Sequence, residues 1–352
     1  MNTPSILGLA TGVPSARFSQ DEIFQYFLEL QGTDNRRTRA MRAIFEGAGV
    51  GYRHTVLSKG YFDQEQTTKM RNDLYIEKAV PLGERTIQQG LKMYGYEAKD
   101  IDDFTVISCT GFNIPGLDLQ LAGRLGMRPD LRRTCILGMG CYGAFPGLRR
   151  AYDAVRLRPN SLALVLAVEL CSLHMQRDAS SENVVSSALF SDGAAMAVIG
   201  NEGINNDDCP RIVDSATYCD YTTLEHMSFT LTDHGFRMYL SSYVPDLLAA
   251  QIECFVDGLL AKNDLKRTDV RFWGIHPGSS KIVDYVQSHL GLTDAQVESS
   301  HTVLYEYGNM SSATILFVLE RIQRCEKPSH GDYGVLMAFG PGLTMEGLLV
   351  QW

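Results

Sequence analysis

The chain carries no CxxC pair and no histidine–cysteine cluster at zinc-ligand spacing, although it has eight cysteines in 352 residues. That excludes the zinc-ribbon and zinc-finger classes, and no metal site is expected. A chain this long buries a core without cross-links. The scattered thiols at 109, 135, 141, 171, 209, 219, 254 and 325 are therefore read as reduced, in a cytoplasmic protein. Long apolar runs are missing too. The longest, Leu162 to Val168, stops at Glu169, far too short to cross a bilayer, and reads as a buried strand. Positive charge is scarce, with 32 Lys and Arg against 41 Asp and Glu, a net charge of −9 and a pI near 5.4. A general nucleic-acid binder is excluded by that balance, whereas an anionic ligand held at a local basic patch is not. No basic segment followed by an apolar one opens the chain, so no secretory signal is expected.

What is present describes a globular protein, 45% hydrophobic and 21% charged. Strand-like apolar runs alternate with helical patterns. Residues 104–108, 162–168, 194–199, 270–275, 333–339 and 343–350 read as strands; 74–94, 117–125, 244–261, 279–290 and 311–323 read as helices. Such alternation predicts an α/β fold with a mainly parallel sheet covered on both faces. The polar stretch Asn201 to Pro210 reads as a linker, dividing the chain into halves at 1–203 and 210–352. A faint repeat relates the halves. In each, a strand ends at a chemically active residue (Cys109, His276), and a glycine-bearing corner follows at Cys141 or Asn309, after 32 and 33 residues respectively.

The first of those corners, Gly138-Met139-Gly140-Cys141-Tyr142-Gly143, sets one thiol at the tip of a tight turn before a helical run. Glycines permit the turn and the close approach of a substrate. A helix beginning just past the sulfur favours its thiolate. A small buried cysteine in a glycine-rich turn is the plainer alternative for a lone thiol, and the rest of the constellation weighs against it. His276, where a strand gives way to Pro277-Gly278, can take the thiol proton. Asn309, in Tyr307-Gly308-Asn309-Met310-Ser311, can donate an amide N–H beside it, completing an oxyanion hole for a thioester carbonyl or its enolate.

These three blocks resemble the condensing enzymes of the thiolase superfamily. Ala338-Phe339-Gly340-Pro341-Gly342 resembles the signature loop of one branch, the chalcone-synthase-like type III polyketide synthases, with alanine where plant members begin with glycine. Leu189-Phe190-Ser191-Asp192-Gly193-Ala194 is similar to that branch as well, and Glu169 to His174 to its bacterial members. The resemblance runs from about residue 5 to the C-terminus. It implies two thiolase-like βαβ halves in a layered α-β-α-β-α core, working as a homodimer with Ile114 reaching across the interface.

The resemblance also implies roles. Cys141 would take the starter acyl group from an acyl-CoA, and His276 and Asn309 would stabilise the enolate left when malonyl-CoA loses carbon dioxide. Phe190 and Met238 match gatekeeper positions, the second without its aromatic ring. Cys109, Cys171, His174, Phe229, Ser311 and the loop residues Phe339, Gly340, Pro341 and Gly342 would bound the substrate cavity. Arg39 and Arg42 are the candidate contacts for the coenzyme A phosphates. The thioesters are substrates, and no cofactor is implied. The product class implied is an alkylpyrone or alkylresorcinol made from a fatty acyl-CoA. A malonyl-CoA-only synthase of the tetrahydroxynaphthalene or phloroglucinol type, an initiating ketoacyl synthase fed by acyl carrier protein, and a non-catalytic scaffold stay open as alternatives.

Overall fold

The computed structural model describes residues 3–31, 35–201, 209–241 and 244–352. The first half runs β1 (Pro4–Gly12), β2 (Ala16–Ser19), α1 (Gln20–Gln31), α2 (Asn35–Glu46), β3 (Tyr52–Thr55), α3 (Thr68–Tyr94), β4 (Ile101–Ser108), α4 (Leu117–Leu125), β5 (Arg132–Leu137), α5 (Ala144–Leu157), β6 (Leu162–Leu170), α6 (Ser181–Leu189) and β7 (Asp192–Asn201). The second runs β8 (Arg211–Cys219), β9 (Met227–Thr232), β10 (Gly235–Leu240), α7 (Val244–Ala261), β11 (Val270–Ile275), α8 (Ser280–Leu290), α9 (Asp294–Tyr307), α10 (Thr314–Arg321), β12 (Tyr333–Gly340) and β13 (Thr344–Gln351).

Nine strands join in the order β11-β12-β13-β8-β1-β7-β6-β4-β5. Read outward from the junction of β1 with β8, the two halves repeat one pattern: β1, β7, β6, β4 on one side and β8, β13, β12, β11 on the other. That is the duplication suggested by the paired corners. The junction itself is slight, a single register pair between Ser5 and Arg211.

Period-two side-chain alternation sorts each strand between two cores. Val106, Leu164 and Leu166 face α3 and α4. Their neighbours Ile107 and Val165 face the opposite way, onto Phe145, Leu148 and Val155 of α5. That second core is shared, because Ile315, Val318 and Leu319 of α10 and Leu336 and Leu348 of the second half belong to it as well. Trp273, Val335 and Met337 turn outward to Val256 of α7 and Val283 of α8. The result is outer helices, sheet, central helices α5 and α10, sheet, outer helices.

Two expectations need correction. The sheet is mixed rather than mainly parallel: β4 runs parallel to β5 and β6, and β11 to β12, whereas β1–β7, β6–β7, β12–β13 and β8–β13 are antiparallel. Between β12 and β13 the chain turns within three residues at Pro341, too short for the crossover that a parallel pair needs. The helix expected over 311–323 is broken. Ser311 has φ +48°, a 3₁₀ turn spans Ser311–Ala313, α10 covers Thr314–Arg321, and a π-turn follows over Ile322–Glu326. The expected linker falls mostly on 202–208, outside the described residues. β5, β8, β9 and β10 carry no continuous apolar run and were not anticipated.

Candidate active site

The central helices bring the two halves' chemistry together. Their N-terminal ends meet closely: a Cβ on Gly143 would lie 3.3 Å from the Ser312 Cβ and 2.8 Å from Ile107. Ahead of α5, Gly138 and Gly140 have φ of +75° and +67°, a region that side chains resist. Cys141 sits at the middle of the 3₁₀ turn Gly140–Tyr142 that this geometry creates. The side chains of Ser311, just ahead of α10, and of Asn309 lie near enough to the Cys141 sulfur to favour its thiolate.

Asn309 is held on every side. Its backbone N–H donates to the Leu189 carbonyl and its carbonyl accepts from Ser191 N–H, both at 2.9 Å. Its Nδ2 donates to the Gly278 carbonyl at 3.2 Å, and its Oδ1 accepts from Ser311 N–H at 2.8 Å. Gly278 belongs to the turn after β11 that carries His276, and its N–H donates to the His276 carbonyl at 2.9 Å. Asn309 thus ties the histidine turn to Ser311. His276 is 1% exposed, its own N–H bonds the Met337 carbonyl, and neither ring nitrogen has a hydrogen-bond partner among the described residues.

Charge states follow from burial. Desolvation pushes the Cys141 thiol up to about 11, against the lowering by Ser311 and Asn309. The helix N-terminus therefore does not win here, and the resting thiol is protonated. Desolvation alone takes His276 down to about 3, so its imidazole is neutral. Each shift penalises a charge standing alone. Proton transfer from sulfur to imidazole creates both charges at once, and their attraction offsets part of that cost.

A residue that sequence reading passed over completes the floor. Glu169 is fully buried and accepts from Cys109 N–H at 3.0 Å, from the Thr110 hydroxyl at 2.7 Å, from Ser108 at 3.3 Å, from the Cys109 thiol at 3.3 Å, and from Ser312. Burial raises its carboxyl pKa, and its charge in turn helps to raise those of Cys109, Cys141 and Cys171. The available signal was a lone acid ending the apolar run of β6.

A cavity of about 1170 Å³ is lined by Gly140, Tyr142, Ser311 and Pro341, the neighbours of Cys141, while Cys141, His276 and Asn309 are not themselves among its lining residues. Cys109, Cys171, His174, Phe190, Phe229, Met238 and Gly342 line it too. The Phe190 and Phe229 rings meet edge-on at 6.2 Å, and Met238 pairs with Phe229 across the β9–β10 hairpin. His174 is a fixed wall: one ring nitrogen lies 2.7 Å from the Thr110 carbonyl, the other accepts from Phe236 N–H at 3.1 Å, and burial lowers its pKa to about 4. Phe339 and Gly340 lie elsewhere. Phe339 packs into the outer core with Trp273, and a Cβ on Gly340 would strike the Tyr142 ring at 2.6 Å. Arg39 and Arg42 are exposed on α2 and are not among the residues lining the cavity; Arg42 covers the Phe24 ring and reaches, at 3.4 Å, Asp21, which does line it. Among the described residues no group of three potential metal ligands comes together, and no helix is long and apolar enough to cross a membrane.

Comparison with known proteins agrees with this geometry. Residues 2–203 match the family model for chalcone and stilbene synthases, N-terminal domain, and residues 217–352 match that for the C-terminal domain. A 1,3,6,8-tetrahydroxynaphthalene synthase of Streptomyces peucetius subsp. caesius is 33% identical, over 99% of this chain and 93% of that protein. An alpha-pyrone synthesis polyketide synthase-like protein of Mycobacterium tuberculosis is 31% identical, over 98% and 90%. The crystal structure of PKS-I from the brown alga Ectocarpus siliculosus superposes with a TM-score of 0.94 at 31% identity, covering 100% of this chain and 98% of that one. With both family models matched, and with relatives of this identity aligned almost end to end, the chain belongs to the chalcone and stilbene synthase family, the type III polyketide synthases.

Proposed function

We propose that Cys141, His276 and Asn309 carry out the loading and decarboxylative condensation of this enzyme. In loading, the Cys141 proton passes to His276 and the sulfur attacks the carbonyl of an acyl-CoA. The C–S bond to coenzyme A then breaks, and the departing thiolate takes the proton back from the imidazolium. In extension, the C–C bond to the malonyl carboxylate breaks and carbon dioxide leaves. Its electron pair remains as an enolate, whose oxygen accepts hydrogen bonds from His276 and Asn309. The enolate carbon attacks the thioester on Cys141, releasing the sulfur and leaving the lengthened chain on coenzyme A for reloading. Neutral donors suit this task, since they stabilise the oxyanion without binding the starting carboxylate as a full cation would.

The observation that carries this reading is the neutral His276, with both ring nitrogens unclaimed among the described residues, tied through Gly278 to the clamped amide of Asn309. Phe229, Met238 and Phe236 offer an apolar wall to an acyl chain, which supports an aliphatic starter and an alkylpyrone or alkylresorcinol product. Lys59 is a cation at the cavity lining; Arg39 and Arg42 would meet coenzyme A phosphates only outside it. Ile114, 80% exposed beside the exposed Phe112, is proposed to pack against a second copy, which a native-mass measurement of Ile114→Asp beside the parent would test.

The test is incubation with malonyl-CoA and a graded series of acyl-CoA starters, products read by mass spectrometry, with Cys141→Ala in parallel. Acyl-tailed pyrones or resorcinols are expected. Product from malonyl-CoA alone would replace the aliphatic starter, and turnover only with acyl carrier protein would overturn the reading.

A further inference from the structure

Behind Phe190 lies a buried cation that the chemistry above does not use. Arg53, on β3, is 5% exposed and lines the cavity. Its Nη1 donates to the carbonyls of Ser187 and Phe190, the latter at 3.2 Å, and its Nε and Nη2 find no hydrogen-bond partner among the described residues. The acid whose charge it feels, Asp192, is otherwise committed: its oxygens accept from Val56 N–H, Ser172 N–H and the Ser172 hydroxyl at 2.8, 2.8 and 2.6 Å. Two further polar side chains of α6 line the cavity beside Arg53. Among the described residues neither the Ser187 hydroxyl nor the Asn183 amide, one turn earlier on the same helix face, has a hydrogen-bond partner, although the Asn183 amide is near enough to help lower the Asp178 carboxyl.

A desolvated guanidinium with two idle donor nitrogens is expensive to keep. Burial lowers its pKa to about 9, which still leaves it charged at neutral pH. Nε and Nη2 lie along one edge of the planar group, the edge that holds a carboxylate through two parallel bonds. Arg53 lines the same cavity as the apolar side chains of Phe190, Phe229 and Met238. An acyl chain with methylenes in its middle and a carboxylate at its far end has that profile.

We propose that Arg53, with Ser187 beside it, is a subsite for the distal carboxylate of an acyl group carried on Cys141, so that half-thioesters of dicarboxylic acids are favoured starters. This rests on the loading of Cys141 proposed above. Coenzyme A phosphates share the anionic chemistry, but they hang from a bulky nucleotide, whereas these donors are buried inside the wall.

The test compares loading of Cys141 by glutaryl and pentanoyl groups, which have the same chain length, read as acyl-enzyme by intact-protein mass spectrometry. Each is supplied both as its coenzyme A thioester and as its N-acetylcysteamine thioester, which has no phosphate. The parent is expected to load glutaryl at least tenfold faster from both carriers, and Arg53→Lys to cut that ratio by about tenfold. Ser187→Ala, which removes a hydroxyl with no bond among the described residues, should cut it about threefold and keeps the test intact if Arg53→Lys does not fold. Equal loading of the two acyl groups, or a ratio unmoved by Ser187→Ala, overturns the proposal alone. A glutaryl preference seen only with coenzyme A thioesters assigns Arg53 to a phosphate and also overturns it. Loading by neither group overturns the Cys141 reading and this one with it.

Discussion

Asn309 and Phe190 face each other in an isolated parallel β-bridge, the amide residue from the second half and an aromatic residue of the cavity wall from the first. The two backbones exchange hydrogen bonds through Leu189 and Ser191. One backbone contact therefore places both the amide proposed as an oxyanion donor and the cavity wall at Phe190.

Gly308 permits that contact. Its φ is +71°, and a Cβ there would come within 2.9 Å of the Arg53 Cγ and 3.0 Å of the Leu189 carbonyl. Gly308→Ala should lose about 1–3 kcal/mol of stability, with a fall in condensation larger than the fall in thermal midpoint alone would predict. Thermal unfolding beside single-turnover condensation checks this; an unchanged midpoint would show that the bridge yields freely.

Acid should destabilise the protein through its buried histidines. His174 and His276 have pKa values of about 4 and about 3, lowered from 6.5 by burial. Between pH 6.5 and 4 the unfolded chain binds more protons at these sites, so stability is present above 6.5 and is lost as pH falls. His174 alone should account for about 3 kcal/mol by pH 4. Asp192, raised to about 6, works in the opposite direction between its unfolded value and that pH, gaining stability on acidification. Denaturant midpoints across this range, with His174→Gln beside the parent, should show a shallower slope in the variant.

Burial raises the pKa values of Cys109, Cys141 and Cys171, and the charge of Glu169 adds to that rise. Glu169→Gln keeps the size and removes the charge, so iodoacetamide should alkylate Cys141 several-fold faster at pH 8. The amide nitrogen would face donors now satisfied by a carboxylate, costing about 1–3 kcal/mol. An alkylation rate equal to the parent's would remove Glu169 from the control of the nucleophile.

Phe229 is expected to limit the reach of the cavity that it lines. It lines the cavity opposite Phe190 and is 41% exposed, so its removal should open space at little cost to folding. Phe229→Gly is expected to shift products toward longer starters or at least one more malonyl unit, as read by mass spectrometry. A product distribution identical to the parent's would place the limit elsewhere, for instance at His174.

Much of this was legible along the chain. Gly138, Gly140 and Gly308 announce positive-φ corners, and β6, β7 and β11 are apolar runs that need no partner to be recognised. The Cys141, His276 and Asn309 blocks stand out as local patterns. β5, with residues alternately half-buried and exposed, and the β9–β10 hairpin, with Phe229 and Leu231 exposed, lack that signal because their pairing partners supply the order. Phe339 shows the limit of a motif: it belongs to the signature loop, yet the pleat of β12 turns it to the outer core while Pro341 and Gly342 reach the cavity.

The division is physical. Backbone corners, strand and helix periods and the identity of the nucleophile depend on residues a few positions apart, and the order of residues carries them. The protonation of Cys141 and His276, the five donors gathered on Glu169, the idle edge of Arg53 and the volume of the cavity are sums over side chains tens to hundreds of positions apart. Desolvation and shape of that kind exist only once the halves have closed around α5 and α10.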